Sequence, residues 1–193
     1  MPNISFPFRC FLAVNFDQSV KEKISALQGR LKYGGDAVSW TNRDNFHLTI
    51  KFFGDVSSAD YAGISDLIKK RAAAAAGSEL ELKGLGCFPE TGPPKIVWAG
   101  CRDASGRLAS LCDTLLDGFA ALGFKKDRPF SPHITIGRVK RLYSSAAFIK
   151  KISDRREFFV DRVRVRQLDL MKSELFGSGP VYSVVESIAL GVN

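Results

Sequence analysis

The chain has 193 residues, 45% of them apolar and 25% charged, enough to fill a core and solvate its surface. Lys and Arg number 28 against 20 Asp and Glu, and the net charge of +8 favours a polyanionic partner. No apolar run approaches the roughly 20 residues of a membrane span, and Arg9 interrupts the opening run, so neither a membrane anchor nor a signal peptide is expected.

Taken in order, Phe8 to Phe16 reads as a buried strand and Asp17 as the cap of a helix. That helix carries Val20, Ile24, Leu27 and Leu31 to about Lys32, where Gly34 and Gly35 stop it. Val38 to Thr41 is a short strand, Asn42 to Asp44 a turn, and a longer strand follows to Gly54 and Asp55. A helix over about Ser58 to Ala76 ends at Gly77. Strands at Glu79 to Phe88 and Ile96 to Gly100 flank a Gly/Pro loop, and Asp103-Ala104-Ser105 opens a long helix closed by Gly123. A basic loop with Lys125, Lys126 and Arg128 leads to a strand at His133. After Tyr143 a short helix runs to about Ile152, and three strands finish the chain at Glu157 to Asp161, Val163 to Lys172 and Val181 to Leu190. The last two turn through Phe176-Gly177-Ser178-Gly179-Pro180.

Two of these strands share a motif. The first reads Asn45-Phe46-His47-Leu48-Thr49-Ile50-Lys51-Phe52-Phe53-Gly54 and the second Pro132-His133-Ile134-Thr135-Ile136-Gly137-Arg138. The chain has two histidines and five threonines, and each histidine is followed two residues later by a threonine. In a strand, residues i and i+2 share a face. His47 and Thr49 therefore project together, as do His133 and Thr135. Phe46, Leu48, Ile50 and Phe52 fall on the opposite face of the first strand, and Ile134 and Ile136 on that of the second. One such strand taken alone is better read as a half-exposed strand with a solvated or hydrogen-bonded surface histidine. The matched pair, with no other histidine present, points to one site. The strand with Ala13 precedes His47 as the strand with Ala99 precedes His133, and both separations between copies are 86 residues. A strand–helix–motif unit used twice would bring both motif faces to one cleft around a pseudo-twofold axis; the alternative is chance spacing.

Two imidazoles across a cleft suit general acid–base chemistry, since near pH 7 one can be neutral and the other protonated. The neutral ring removes a proton from a nucleophile, the charged ring protonates a leaving oxygen, and the threonine hydroxyls bond the free oxygens of a phosphate between them. There is no third histidine and no carboxylate cluster beside either motif, and Cys10, Cys87, Cys101 and Cys112 form no C-x-x-C pair. No metal or other cofactor is expected, and the thiols are read as reduced in a cytoplasmic protein, with a disulfide left open.

With Arg9-Cys10-Phe11-Leu12-Ala13-Val14, Pro93 to Gly100, Arg128-Pro129-Phe130-Ser131 before the second motif, Arg138-Val139-Lys140 after it, and Gly179-Pro180-Val181-Tyr182, the chain resembles the 2H phosphoesterase superfamily, in its RNA 2′,3′-cyclic phosphodiesterase (2′-5′ RNA ligase) branch. The resemblance implies an α+β fold over residues 1–193: a single two-lobed domain, with two antiparallel sheets lining a central cleft, helices outside and a pseudo-twofold duplication. It implies hydrolysis of RNA 2′,3′-cyclic phosphate ends, or of small cyclic nucleotides, to a 2′-phosphate. His47 would be the general acid on the leaving 3′-oxygen, His133 the general base on water, and Thr49, Thr135 and Arg138 the phosphate ligands. Simple alternation places Arg138 on the core face with Ile134 and Ile136, so this role requires a bulge or strand end near Gly137.

Other residues remain open. Phe88 stacks on a base or folds onto the core, with Tyr182 and Phe176 similar cases. Lys51 shares the face of His47 by parity, and is a cleft charge or simply a solvated lysine. The alternatives to the hydrolase are 2′-5′ RNA ligase or 2′-5′ oligonucleotide phosphodiesterase activity, and a non-catalytic RNA-binding module. A monomer with no obligate protein partner and no membrane association is expected.

Overall fold

A computed structural model describes residues 5–32, 35–125, 130–177 and 179–191. The expected helix stop at Gly34, the basic-loop residues Lys126, Arg128 and Pro129, and the turn residue Ser178 lie outside the described residues. The elements run β1 (Phe8–Asn15), α1 (Gln18–Gly29), β2 (Ala37–Trp40), β3 (His47–Val56), α2 (Ser58–Ala73), β4 (Ser78–Phe88), β5 (Ile96–Asp103), α3 (Arg107–Ala121), β6 (His133–Arg141), α4 (Ser145–Ser153), β7 (Phe159–Val165), β8 (Gln167–Phe176) and β9 (Gly179–Ala189), with a 3-10 turn at Arg43–Asn45 before β3.

The helices start and stop where local chemistry dictates. Ser57 and Asp60 form a reciprocal capping box at the start of α2. The helix ends three residues short of the expected Ala76 because Ala76 bridges Gly191 instead, whose N–H bonds the Ala72 carbonyl. α3 begins at Arg107 rather than at Asp103. Asp103 ends β5, and its carboxylate accepts from the Ala109 N–H at 3.0 Å, capping the helix from outside. α1 ends at Gly29, earlier than Lys32, as the Arg30 N–H bonds the carbonyls of Leu27 and Gln28. The boundary between the last strands but one falls at Arg166, not near Arg162; no Gly or Pro marks it.

The strands form one antiparallel sheet in the order β7-β4-β5-β6-β3-β1-β8-β9, with β2 paired to β6. The two expected sheets are thus the two halves of one ladder, joined between β3 and β6 by the single pair Leu48↔Ile134. Beyond that pair, β2 takes the edge of β6 from Gly137 to Arg141, so β3 and β6 part company. Leu48 and Ile134 are also 86 residues apart, so the pseudo-twofold axis of the duplicated unit runs through the pair that joins the halves.

One face of the sheet carries the main core. Leu48, Ile134, Ile136 and Phe46 are fully buried there with Ile24, Ile64, Leu115 and Phe148 of the four helices. The other face is left open except for a small second cluster of Phe11, Ala13 and Met171, with Tyr182 packed against it.

Both motif strands break step at the same place. Across from β3, Ala13 pairs Thr49 and Leu12 pairs Lys51, so Ile50 is skipped. Across from β6, Trp98 pairs Thr135 and Val97 pairs Gly137, so Ile136 is skipped. Each is a bulge, which reverses the alternation beyond it. Gly137 serves the second one: a Cβ there would stand 2.8 Å from a ring carbon of Trp40, so a side chain would push β2 off β6.

Candidate active site

The pair Leu48↔Ile134 points its side chains into the core, so the flanking residues point the other way. His47 and Thr135 lie to one side of the pair, Thr49 and His133 to the other, and all four occupy the open face of the sheet. The motifs, far apart along the chain, meet where the two halves join.

Both imidazoles are held alike. The Nδ1–H of His47 donates to the Asn45 carbonyl at 2.8 Å, and the Nδ1–H of His133 donates to the Ser131 carbonyl at 2.7 Å. Asn45 and Ser131 are again 86 residues apart. A carbonyl accepts only, so the proton is fixed on Nδ1 and Nε2 is the working nitrogen of each ring. The hydroxyl of Thr49 donates to Nε2 of His47 at 2.9 Å. Each ring also leans on aromatics. Tyr182 meets His47 edge-on at 5.3 Å with Phe11 at 4.9 Å, and Phe88 meets His133 edge-on at 5.1 Å with Trp98 at 6.4 Å. These contacts fix the plane of each imidazole.

Burial pushes the pKa of His47 down to about 4. The Asn45 carbonyl opposes the shift, while the charges of Lys21 and His133 add to it. The unliganded protein therefore holds His47 neutral at pH 7.

The bulges decide the neighbouring residues. Arg138, which alternation alone would bury, is exposed. Burial raises the pKa of the Tyr182 hydroxyl, and the charges of Arg138 and Arg9 oppose the rise; the ring of Tyr182 packs on His47. The bulge at Ile136 is the irregularity that the expected role of Arg138 requires. Phe52, expected with Phe46, Leu48 and Ile50 in the core, is instead 59% exposed, with its ring 5.3 Å from Phe11 on the side of His47. Lys51 is the converse correction. It neither shares the face of His47 nor lies in solvent: it is 4% exposed, and its Nζ donates to the Lys125 carbonyl at 2.6 Å. Phe88 is half-buried against Trp98 and His133. Tyr182 joins the site, whereas Phe176 stays exposed at the end of β8.

Asn45, Ser131 and Trp98 went unpredicted as site residues. The first two act through backbone carbonyls just ahead of each motif strand, so their residue types carried no signal. Among the described residues, no group of three or more His, Cys, Asp or Glu is placed to hold a metal ion, and no helix is long and apolar enough to cross a membrane. All four cysteines are free thiols, and burial pushes Cys10 up to about 12.

With this geometry in hand, the sequence profile of the 2′-5′ RNA ligase superfamily matches residues 16–175. The chain belongs to that superfamily. The resemblance to 2H phosphoesterases read from the two motifs is thereby borne out, and so is the α+β fold. An RNA 2′,3′-cyclic phosphodiesterase of Methanothermobacter thermautotrophicus is 30% identical over 182 residues, covering 94% of this chain and 98% of the relative. One of Thermotoga maritima is 30% identical, covering 92% of each. Among solved structures of the same fold, a protein of Thermus thermophilus aligns at TM-score 0.79 with 26% identity over 96% of this chain and 99% of its own. Escherichia coli LigT complexed with 3′-AMP aligns at 0.78 with 25% identity over 95% and 98%.

Proposed function

We propose that this protein opens the 2′,3′-cyclic phosphate at the end of an RNA chain to a 2′-phosphate by general acid–base catalysis, with no metal or other cofactor. The observation that carries the reading is the pair of imidazoles on one open face, each with Nδ1 tied to the carbonyl two residues before it and Nε2 left for chemistry. The named activity of relatives covering nearly the whole chain supports it, as does the 3′-AMP complex of LigT.

In this reading Nε2 of His133 takes a proton from water as the water oxygen bonds to phosphorus. The P–O3′ bond breaks, and Nε2–H of His47 protonates the departing oxygen. Thr49, Thr135 and Arg138 hold the non-bridging oxygens, where charge-assisted hydrogen bonds are strongest. Since His47 is neutral in the free protein, the negative phosphate beside it supplies the charge that raises its pKa and loads the acid. The same site with an RNA 5′-hydroxyl in place of water would form a 2′-5′ linkage. The reading is of one cytoplasmic domain of two lobes acting as a monomer, and the free, unreactive thiols agree with a reducing setting.

The depressed pKa of His47 favours a second reading in which the roles are exchanged, with His47 as base and His133 as acid. For a substrate bound with its 3′-oxygen towards His47, chromatography of the product of a 2′,3′-cyclic phosphate RNA separates the two: a 2′-phosphate supports His47 as acid, and a 3′-phosphate exchanges the roles. His47→Ala and His133→Ala should each lower turnover by roughly a thousandfold while circular dichroism stays unchanged, and EDTA should have no effect. Undiminished turnover in either variant would end the catalytic reading.

A further inference from the structure

Beside His47 the open face deepens into a pocket of about 320 Å³ that the chemistry above leaves unused. Its floor is Asp169 of β8, which is only 2% exposed. Asn15 Nδ2 donates to Asp169 Oδ2 at 2.8 Å, while Gln167 Nε2 and the Ser187 hydroxyl donate to Oδ1 at 2.9 and 2.6 Å. The carboxylate thus fixes both amides with their nitrogens turned inward. What Asn15 and Gln167 have left to offer is oxygen, and Asp169 Oδ2 keeps an unused lone pair. Along the wall, Lys21 donates to the Asp44 carbonyl at 2.7 Å and retains further N–H groups. A pocket with a buried carboxylate repels a phosphate and calls for a neutral group rich in N–H donors. Tyr182 supplies an aromatic side wall.

We propose that this pocket holds the base of the terminal nucleotide and selects guanine. The inference rests on the cyclic-phosphate reading above. Guanine presents two adjacent donors, N1–H and N2–H, to the acceptors on the floor, and its O6 accepts from Lys21. Uracil presents one N–H between two carbonyls, which would face the carboxylate unfavourably. One well-placed hydrogen bond is worth about a factor of ten in affinity.

Steady-state kinetics with the four 2′,3′-cyclic mononucleotides test this, alongside calorimetric titration with 2′-GMP and 2′-UMP. The guanosine substrate should exceed the uridine one about tenfold in kcat/KM, through KM. Gln167→Met, with its melting temperature monitored, should bring the guanosine value towards the uridine value. Equal kcat/KM for all four bases, or a Gln167→Met loss shared in equal proportion by all four, would overturn the pocket while leaving the cyclic-phosphate reading in place. Absence of turnover on all four and on a 2′,3′-cyclic phosphate RNA would end that reading, and the titrations would then decide the pocket alone: tighter 2′-GMP upholds it, and equal binding overturns it.

Discussion

His47 is held neutral by its surroundings, yet the proposed chemistry asks it to give away a proton. The two demands fit if the phosphate itself supplies the missing charge. Folding favours the neutral ring, so its contribution to stability is full above about pH 6.5 and falls as the pH drops towards about 4. By NMR, the His47 ring in the free protein should titrate near 4, and adding a nucleoside 2′-phosphate should move that midpoint upward. A midpoint indifferent to the nucleotide would remove His47 from the phosphate. At this scale the sequence was informative: period two in Asn45-Phe46-His47-Leu48-Thr49 placed both motif residues on one face and predicted the burial of Phe46 and Leu48. It left Tyr182 open between a base and the core, because nothing in the spacing says that its ring reaches His47 across Phe11 from β9, two strands beyond β1.

Among the elements, the bulges at Ile50 and Ile136 set what surrounds the imidazoles. Strand alternation reads correctly up to the bulge and wrongly after it. Lys51 and Phe52 therefore exchange their expected places, and Arg138 needs an irregularity to reach the site. A bulge depends on how the partner strand pairs, so it leaves little trace in the strand that carries it. Gly137 is the one local hint, through the ring of Trp40 above it. Arg138 is exposed and serves no core contact, so Arg138→Ala should lower kcat/KM on a cyclic phosphate by roughly 10- to 100-fold, the loss of a charge-assisted bond. The melting temperature should stay within a degree or two. A variant with unaltered kinetics would exclude the guanidinium from phosphate binding. Ser57→Ala is the converse case: it opens the α2 capping box and should cost about 1 kcal/mol, or 2–4 °C in melting temperature, without touching turnover.

For the whole molecule, the excess of eight positive charges should act on RNA chains more than on small substrates. The affinity for a cyclic-phosphate oligonucleotide should fall with salt at a log–log slope of about −0.7 for each phosphate neutralised, whereas a cyclic mononucleotide should show a much shallower dependence. Parallel slopes would place the basic surface away from the RNA. The duplication was legible as a spacing of 86 residues. That its axis passes through the pair joining β3 to β6 was not, since that pair exists only when both halves have folded.

A cleft built on such an axis offers the same imidazole and hydroxyl to a ligand and to that ligand turned half around. The types of the four motif residues alone do not distinguish the 2′-oxygen of a cyclic phosphate from its 3′-oxygen. Positions 52 and 138 also correspond under the duplication, and there the two halves differ in kind: one carries a bare ring, the other a cation. Regiochemistry, in this view, is imposed by the residues that break the symmetry rather than by those that perform the catalysis. The double exchange of Phe52→Arg with Arg138→Phe should accordingly let the 3′-phosphate isomer emerge among the products.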